Sequence, residues 1–350
     1  MAGTRLAVRL DRVRSANLNR AASQPRGGLR SGVRDTDRVT AAPRLRDVEF
    51  SSGDVVLAGW LASPARDRAL AGVELLGGSG PADRDNGTYF PPVREHLADA
   101  GIAVLSYDKR GVGSSSGDWL DSNLDDLAAD ATAALGFLCA QPGVGAGTAG
   151  LLGHSEGGWV ALRAAAGRED VPWVITSGCP GMTPAAQERH TLAGVLHRAG
   201  EQDPDRMLAL FDRLVEAGRR DGDFAEAARI VSSARPSPAF LDYWSDMDQR
   251  LWEFLKRTQD DDPVPDALRL RCPHLAVFGG ADELVSVADS TRLFSAAACH
   301  PGRDHRAALT VEVFPGASHR IQAGADAGLA PGYLDTLAQW IKAKAGISGT

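Results

Sequence analysis

The chain has few cysteines and no long apolar run. Its four cysteines, Cys139, Cys179, Cys272 and Cys299, are scattered without C-x-x-C spacing. This argues against a disulfide framework or a zinc cluster and fits buried thiols in a reducing, cytoplasmic compartment. No apolar run approaches the roughly 20 residues that a membrane span needs. We therefore expect a cytoplasmic protein that neither contains a metal nor associates with a membrane.

The chain also lacks an excess of basic residues, because its net charge is −7. This argues against nucleic acid or an anionic membrane as a partner. The exception is the segment 1–45, which holds ten arginines against three acids. It has no apolar h-region, so it is not a secretory signal. We expect a disordered tail or an over-extended start, with an Arg-rich targeting peptide and a basic interaction arm as alternatives.

Residues 151–158 read Leu-Leu-Gly-His-Ser-Glu-Gly-Gly, an apolar run that ends in the pattern G-x-S-x-G. Helix-forming residues follow directly, so the order predicts a strand, a very tight turn and a helix, with Ser155 on the turn. In such a turn the residues two before and two after the serine come close together, and Gly153 and Gly157 have no side chains to clash. The turn would expose the Ser155 hydroxyl beside the unpaired N–H groups of the helix start. We predict that Ser155 is a nucleophile.

Residues 113–117 also fit G-x-S-x-G. They lie in a run of small polar residues, with no strand directly before them and no helix directly after. We therefore interpret Ser115 as part of a flexible loop rather than as a nucleophile. The short pattern carries little weight without its structural context.

Strand-like and helix-like segments alternate from Arg46 onwards. A hairpin is predicted over 47–61, followed by strands at 72–76, 102–107, 148–152, 173–176, 275–278 and 309–314. Helices are predicted between them, at 93–100, 124–138, 159–166, 286–298 and 333–344. This alternation implies an α/β fold with a mostly parallel central sheet and helices on both faces. Active sites in such sheets lie at the carboxyl ends of the strands.

The alternation stops between residues 182 and 263, where the periodicity is helical. We interpret this stretch as a helical cap over the carboxyl edge of the sheet, which would shape the substrate pocket and exclude water. The predicted domains are an N-terminal segment (1–45), a core (46–181 and 264–347) and the cap (182–263). In the cap, Tyr243, Trp244 and Trp252 could line the pocket or could simply pack helices together.

A serine nucleophile needs a base, and a histidine base works best when a carboxylate fixes its tautomer. Asp282 comes just after one predicted strand, and His319 just after the next. The order Ser155, Asp282, His319 is the order of α/β hydrolases. The alternatives are a capping aspartate and a surface histidine in a turn, with Glu283 as the nearest rival for the acid.

The glycine-rich loop after the strand at 72–76 can bring backbone close to a substrate oxygen. We expect the N–H groups of Ser79 and Glu156 to form an oxyanion hole, with Gly78 beside the substrate. The alternative is a glycine-rich turn without a catalytic part.

The motifs together resemble the bacterial α/β-hydrolase family related to serine aminopeptidases and dienelactone hydrolases, which contains many esterases. The resemblance rests on Gly-Ser-Gly-Pro-x-x-Arg-Asp at 78–85, Tyr-Asp-Lys-Arg-Gly-Val-Gly at 107–113, Gly-His-Ser-x-Gly-Gly at 153–158 and Gly-x-x-Asp at 279–282. It implies the α/β-hydrolase fold and a structural ion network around Asp108 and Arg110. One departure is Gly77, which stands where the family usually has a histidine.

The resemblance implies acyl transfer from a small-molecule ester through a Ser155 acyl-enzyme, without metal or organic cofactor. The same triad could serve a peptidase or an acyl thioesterase. A third alternative is a non-catalytic protein of this fold that binds a small ligand. We expect a monomer or a homodimer.

Overall fold

The computed structural model describes residues 44–65, 69–145, 147–324 and 328–346. Most of the predicted N-terminal segment, 1–45, lies outside the described residues. Its last two residues, Arg44 and Leu45, belong to the first strand, because the antiparallel pairing with the second strand extends to them. The boundary predicted after residue 45 is therefore corrected to lie before Arg44.

The described residues form an eight-stranded sheet in the order β1-β2-β4-β3-β5-β6-β7-β8. The first two strands form the predicted hairpin, and β2 pairs antiparallel with β4. All remaining pairs are parallel, which confirms the mostly parallel sheet. The strands are β1 (Arg44–Ser52), β2 (Val55–Ser63), β3 (Ala71–Leu76), β4 (Ile102–Tyr107), β5 (Ala149–His154), β6 (Val174–Ser177), β7 (His274–Gly279) and β8 (Leu309–Phe314).

Helices connect the parallel strands and cover both faces of the sheet. They are α1 (Phe90–Asp99), α2 (Leu124–Cys139), α3 (Glu156–Ala165), α4 (Pro184–Arg198), α5 (Pro204–Arg219), α6 (Phe224–Ser233), α7 (Pro238–Trp244), α8 (Gln249–Thr258), α9 (Pro263–Leu268), α10 (Val287–Ala298) and α11 (Tyr333–Lys344). A 3₁₀ turn spans Trp119–Asp121, and two short strands, β9 (Gln322–Ala323) and β10 (Gly328–Leu329), pair with each other.

The alternating side chains of the strands build one apolar layer on each face of the sheet. In β5, Leu151 enters the layer that contains residues of α2, α3 and α10, and Leu152 enters the layer that contains residues of α1 and α11. Both side chains are fully buried. The central strands are thus buried on both faces, which holds their carboxyl ends in fixed positions.

Helices α4 to α8 lie between β6 and β7 and have an apolar core of their own, which includes Leu196, Leu214 and Phe240. Helix α8 attaches this segment to the loop after β4, where Leu251 and Phe254 pack against Trp119. Helix α9 contributes Ala267 to the same apolar layer as Leu151. No helix of the described residues combines the length and apolar character needed to cross a bilayer.

Candidate active site

Ser155 lies between the last residue of β5 and the first residue of α3. Its backbone has φ 55° and ψ −123°, a conformation that costs energy for any residue except glycine. Its N–H group donates to the carbonyl of Ser177 at 2.9 Å. A Cβ atom at Gly153 would overlap the carbonyl of Gly157, and one at Gly157 would overlap the carbonyl of Leu76. The predicted need for glycine at both positions is confirmed.

Asp282 follows β7 and His319 follows β8, so the two loops meet at the carboxyl edge of the sheet. His319 Nδ1 lies 2.8 Å from Asp282 Oδ2. The other carboxylate oxygen accepts the N–H groups of Leu284 and Val285 at 2.8 and 3.0 Å. Because an ionised carboxylate can only accept, this contact requires a proton on Nδ1 of His319. The side chain of Asp282 is fully buried, while that of His319 is 14% exposed.

The His319 ring lies next to the turn that carries Ser155. Its centroid is 5.0 Å from that of His154, the residue before Ser155. A Cβ atom at Gly178, directly after the residue that binds the Ser155 N–H, would lie 3.2 Å from the imidazole. Within the described residues, Ser155 and His319 form no hydrogen bond with each other. Such bonds are often long in enzymes without substrate and shorten in the Michaelis complex.

The glycine-rich loop after β3 passes beside Ser155. A Cβ atom at Gly78 would lie 3.4 Å from the Cβ atom of Ser155. Gly78 is buried and Ser79 is exposed. In the part of the chain that the structure describes, the N–H groups of Ser79 and Glu156 have no acceptor. The structure thus places Gly78 against the Ser155 turn, with Ser79 next to Gly78 and Glu156 next to Ser155 in the chain.

A lysine that the sequence analysis did not single out lies behind this loop. Lys109 Nζ donates to the carbonyl of Gly78 and to Glu156 Oε1, both at 2.7 Å. Lys109 and Glu156 are 8% and 9% exposed. The sequence did contain a signal for this pair. Lys109 comes two residues after a predicted strand, and Glu156 directly follows the predicted nucleophile. The strands that precede these two residues end at the same edge of the sheet.

His154, the residue before Ser155, packs its ring against that of Tyr89, with the ring centroids 4.5 Å apart. It is buried, and Asn86 Nδ2 lies 3.0 Å from its Nδ1. Burial, assisted by the nearby His319, holds the pKa of His154 well below its usual value. His154 is therefore a neutral packing residue at neutral pH.

Asp108 and Arg110 form two separate buried ion pairs. Asp108 pairs with Arg84 at 2.7 Å, and Arg110 pairs with Asp130 of α2 at 2.7 Å. Burial alone would raise the pKa of Asp108, but the hydrogen bonds from Arg84 and from the N–H of Ser114 outweigh it and lower that pKa. These pairs hold the turn after β4 against its neighbours.

The interpretation of Ser115 as part of a flexible loop is wrong. Ser115 is 8% exposed, and its hydroxyl donates to the carbonyl of Asp108 at 2.7 Å. The same oxygen accepts the N–H of Ala58 in β2 at 2.9 Å. The hydroxyl fastens the loop to the sheet and is fully occupied by backbone, so the second G-x-S-x-G is structural.

The aromatic residues suggested for the pocket contact the helices of their own segment. The Trp252 indole donates to the carbonyl of Gly222 at 2.9 Å, and its side chain is buried in the core of α4 to α8. Trp244 stacks against Phe224 with parallel rings. Trp252 is therefore corrected to a packing residue. Tyr243 is partly exposed and donates to Glu188 Oε2 at 2.8 Å, so it binds an acid of α4.

Residues 85–216 match the model of the family described as serine aminopeptidase, S33. No sequence among the curated proteins matches the chain.

Three solved structures illustrate the likeness of fold. An esterase of Pyrococcus furiosus is 17% identical, with a TM-score of 0.54, over 86% of this chain and 90% of that one. Est1E of Butyrivibrio proteoclasticus, solved with ferulic acid bound, is 17% identical, with a TM-score of 0.53, over 85% and 96%. Proline iminopeptidase of Mycobacterium smegmatis is 18% identical, with a TM-score of 0.54, over 86% and 99%. The chain thus has the α/β-hydrolase fold, and its middle part is similar to the serine aminopeptidase S33 family.

Proposed function

We propose that the protein is a serine hydrolase that cleaves carboxylic esters with Ser155 as nucleophile, His319 as base and Asp282 as the acid that orients the base. The observation that carries the proposal is the combination of the strained Ser155 turn with the 2.8 Å contact between His319 and Asp282. Backbone strain of this kind is typical of functional sites, because the surrounding fold has to maintain it. A buried carboxylate that fixes the tautomer of a partly exposed histidine leaves Nε2 free to accept a proton.

The proposed reaction has two halves. Nε2 of His319 takes the proton of the Ser155 hydroxyl as the serine attacks the ester carbonyl, and the imidazolium then protonates the leaving alkoxide. The N–H groups of Ser79 and Glu156 would hold the oxyanion of the tetrahedral intermediate. Water, activated by the same histidine, then attacks the acyl-enzyme, and the proton returns to Ser155. Asp282 stays ionised and stabilises the imidazolium in both halves.

We also propose that helices α4 to α8 act as the cap of this site. Helix α4 reaches the loop of the catalytic acid, because Gln187 and Thr191 both donate to the carbonyl of Leu284, two residues after Asp282. Helices α4 to α8 have an apolar core of their own. A cap built in this way can exclude water from the acyl-enzyme and limit the size of the acyl group. The nature of the substrate would therefore depend on this segment more than on the triad.

A peptidase is the second candidate, because the family that matches residues 85–216 is described as serine aminopeptidase. Both reactions use the same triad. They differ in the leaving group, since an amine is a poor leaving group unless a proton is placed on it during cleavage. The ester is favoured because it makes the smaller demand on the site.

The test is a comparison of p-nitrophenyl esters of increasing acyl length with aminoacyl p-nitroanilides and acyl thioesters. Hydrolysis of the esters with an initial burst of p-nitrophenol is expected for an acyl-enzyme. Ser155→Ala should abolish this turnover and leave folding unchanged. Faster cleavage of the anilides would replace the esterase by the peptidase, and equal activity of Ser155→Ala would refute the nucleophile.

A further inference from the structure

Lys109 binds the glycine-rich loop at two points. Its backbone N–H donates to the carbonyl of Ala82 at 3.0 Å, and its Nζ donates to the carbonyl of Gly78 at 2.7 Å. The same ammonium is paired with Glu156, the first residue of α3, at 2.7 Å. One side chain thus connects the loop after β3 to the start of the helix that follows Ser155.

The loop has no side chain of its own that could provide this support. A Cβ atom at Gly77 would lie 2.7 Å from the Cβ atom of Ala82, so a side chain at residue 77 would require this part of the loop to shift. Asn86 also contacts the loop, but its bond is longer, with 3.4 Å between the Gly78 nitrogen and Asn86 Oδ1. Among these two side-chain contacts to Gly78, the shorter one comes from Lys109 on the turn after β4.

We propose that Lys109 is a positioning residue, held by Glu156, that aims the Ser79 N–H at the space above Ser155. The carbonyl of Gly78 and the N–H of Ser79 belong to the same planar peptide group, and in a trans peptide they point in opposite directions. Fixing the carbonyl oxygen on Lys109 therefore fixes the direction of the N–H on the other side. A cation at the oxygen also polarises the peptide, which makes the N–H a stronger donor.

Glu156 is the counterpart in this arrangement. Its own N–H is the other donor of the proposed oxyanion hole, and its carboxylate cancels the charge of Lys109 within a nearly closed pocket. Without the lysine, the carboxylate would stand unpaired near an oxyanion and oppose it. The inference rests on the proposed function for its catalytic consequence, while the hold on the loop can be measured without any substrate.

The experiment compares Lys109→Met with Arg110→Met in the full-length protein. Methionine keeps the length of the lysine side chain and removes its donors. Arg110 is the matched control, because it lies on the same turn and also forms a buried ion pair, but with Asp130 of α2 rather than with the loop. The single variant leaves the buried Glu156 carboxylate unpaired, which can prevent folding. The double variant Lys109→Met, Glu156→Gln removes both charges of the pair, so the loop can still be tested in folded protein.

Two quantities are measured, namely the kinetics on a p-nitrophenyl ester and amide hydrogen exchange in residues 77–82. Lys109→Met should lower kcat by about 10- to 100-fold with little change in KM, because an oxyanion donor acts in the transition state. Exchange in the loop should rise by roughly tenfold, because the loop opens locally. Arg110→Met leaves both bonds of the Lys109 ammonium in place, so it should change kcat and loop exchange per folded molecule by less than about threefold.

The outcomes separate this inference from the proposed function. An active enzyme whose kcat is unchanged by Lys109→Met, or whose loop exchange is unchanged, would overturn the role of Lys109. Wild-type protein that hydrolyses none of the substrates would refute the proposed function instead. In that case the exchange rates of residues 77–82 would still test the contact from Lys109 to the loop. Equal rates in wild type and Lys109→Met would show that Lys109 does not hold the loop.

Discussion

Replacing Asp282 by asparagine tests whether its carboxylate sets the tautomer of His319, the proposed base. The two carboxylate oxygens have different partners, because Oδ1 accepts the N–H groups of Leu284 and Val285 while Oδ2 faces His319. An asparagine keeps the shape of the side chain, and its oxygen must remain on the side of the two N–H donors. Its NH₂ group therefore faces Nδ1 of His319.

This orientation reverses the tautomer of the imidazole. An NH₂ group can only donate, so Nδ1 becomes the acceptor and the ring proton moves to Nε2, the nitrogen that should take the proton of Ser155. Nε2 then already carries a proton and cannot accept the one from Ser155, although every side chain keeps its position. A wrong tautomer of this kind in a serine protease lowers kcat on the order of 10⁴-fold. That loss corresponds to about 5.5 kcal/mol of transition-state stabilisation.

The assay is steady-state hydrolysis of a p-nitrophenyl ester by wild type, Asp282→Asn and Glu283→Gln. Glu283 is the control, because it is the neighbouring acid and its side chain is 56% exposed. We expect Asp282→Asn to lose kcat with little change in KM, and Glu283→Gln to retain full activity. A loss of less than tenfold in Asp282→Asn would refute the reasoning, and a large loss in Glu283→Gln would transfer the role of the acid to that residue.

Two further predictions concern buried polar groups outside the triad. Ser115→Ala should reduce the free energy of unfolding by about 1–3 kcal/mol, because it leaves the Ala58 N–H unpaired, and should keep kcat per folded molecule. The exposed neighbour Ser114 is the control, and equal stability of Ser114→Ala and Ser115→Ala in urea denaturation would contradict the prediction. His274→Gln should flatten the dependence of stability on pH, because burial, assisted by Arg303, lowers the pKa of His274 to about 3. The unfolded chain then binds one more proton than the folded one between pH 3 and about 6.5, so the folded state loses stability as the pH falls through this range. Between pH 6.5 and 5, wild type should lose about 2 kcal/mol more than the variant, and parallel curves in denaturant titrations would count against it.

The sequence predicted the sheet, and it selected candidate residues that the structure brings to one edge of that sheet, because both depend on local patterns. The apolar runs with their flanking glycines gave the parallel strands, although β3 carries the fully buried Glu74 in its centre. Burial raises the pKa of Glu74 well above its usual value, so an acid in this strand did not prevent its formation. Asp282 and His319 could be selected since each follows a strand directly, and parallel strands end at one edge of the sheet.

The sequence could not predict contacts between segments that are far apart in the chain. The bond from Lys109 to Gly78 joins residues 31 positions apart, and the one to Glu156 joins residues 47 positions apart. Ser115 was misjudged for the same reason, because its partner Ala58 lies 57 positions away on β2. Small polar residues predict a loop, but they do not tell whether the fold buries it. In the helical segment, amphipathic periodicity did not separate the buried Trp252 from the partly exposed Tyr243.

The most direct test of the proposed nucleophile is labelling with a fluorophosphonate, followed by mass spectrometry of the modified peptide. Our proposal predicts a phosphonate adduct on Ser155 in wild type and no adduct in His319→Ala, because a serine reacts with the probe only when a base activates it. Folded protein that remains unlabelled, or that carries the adduct on another serine, would contradict the proposal that Ser155 is the nucleophile.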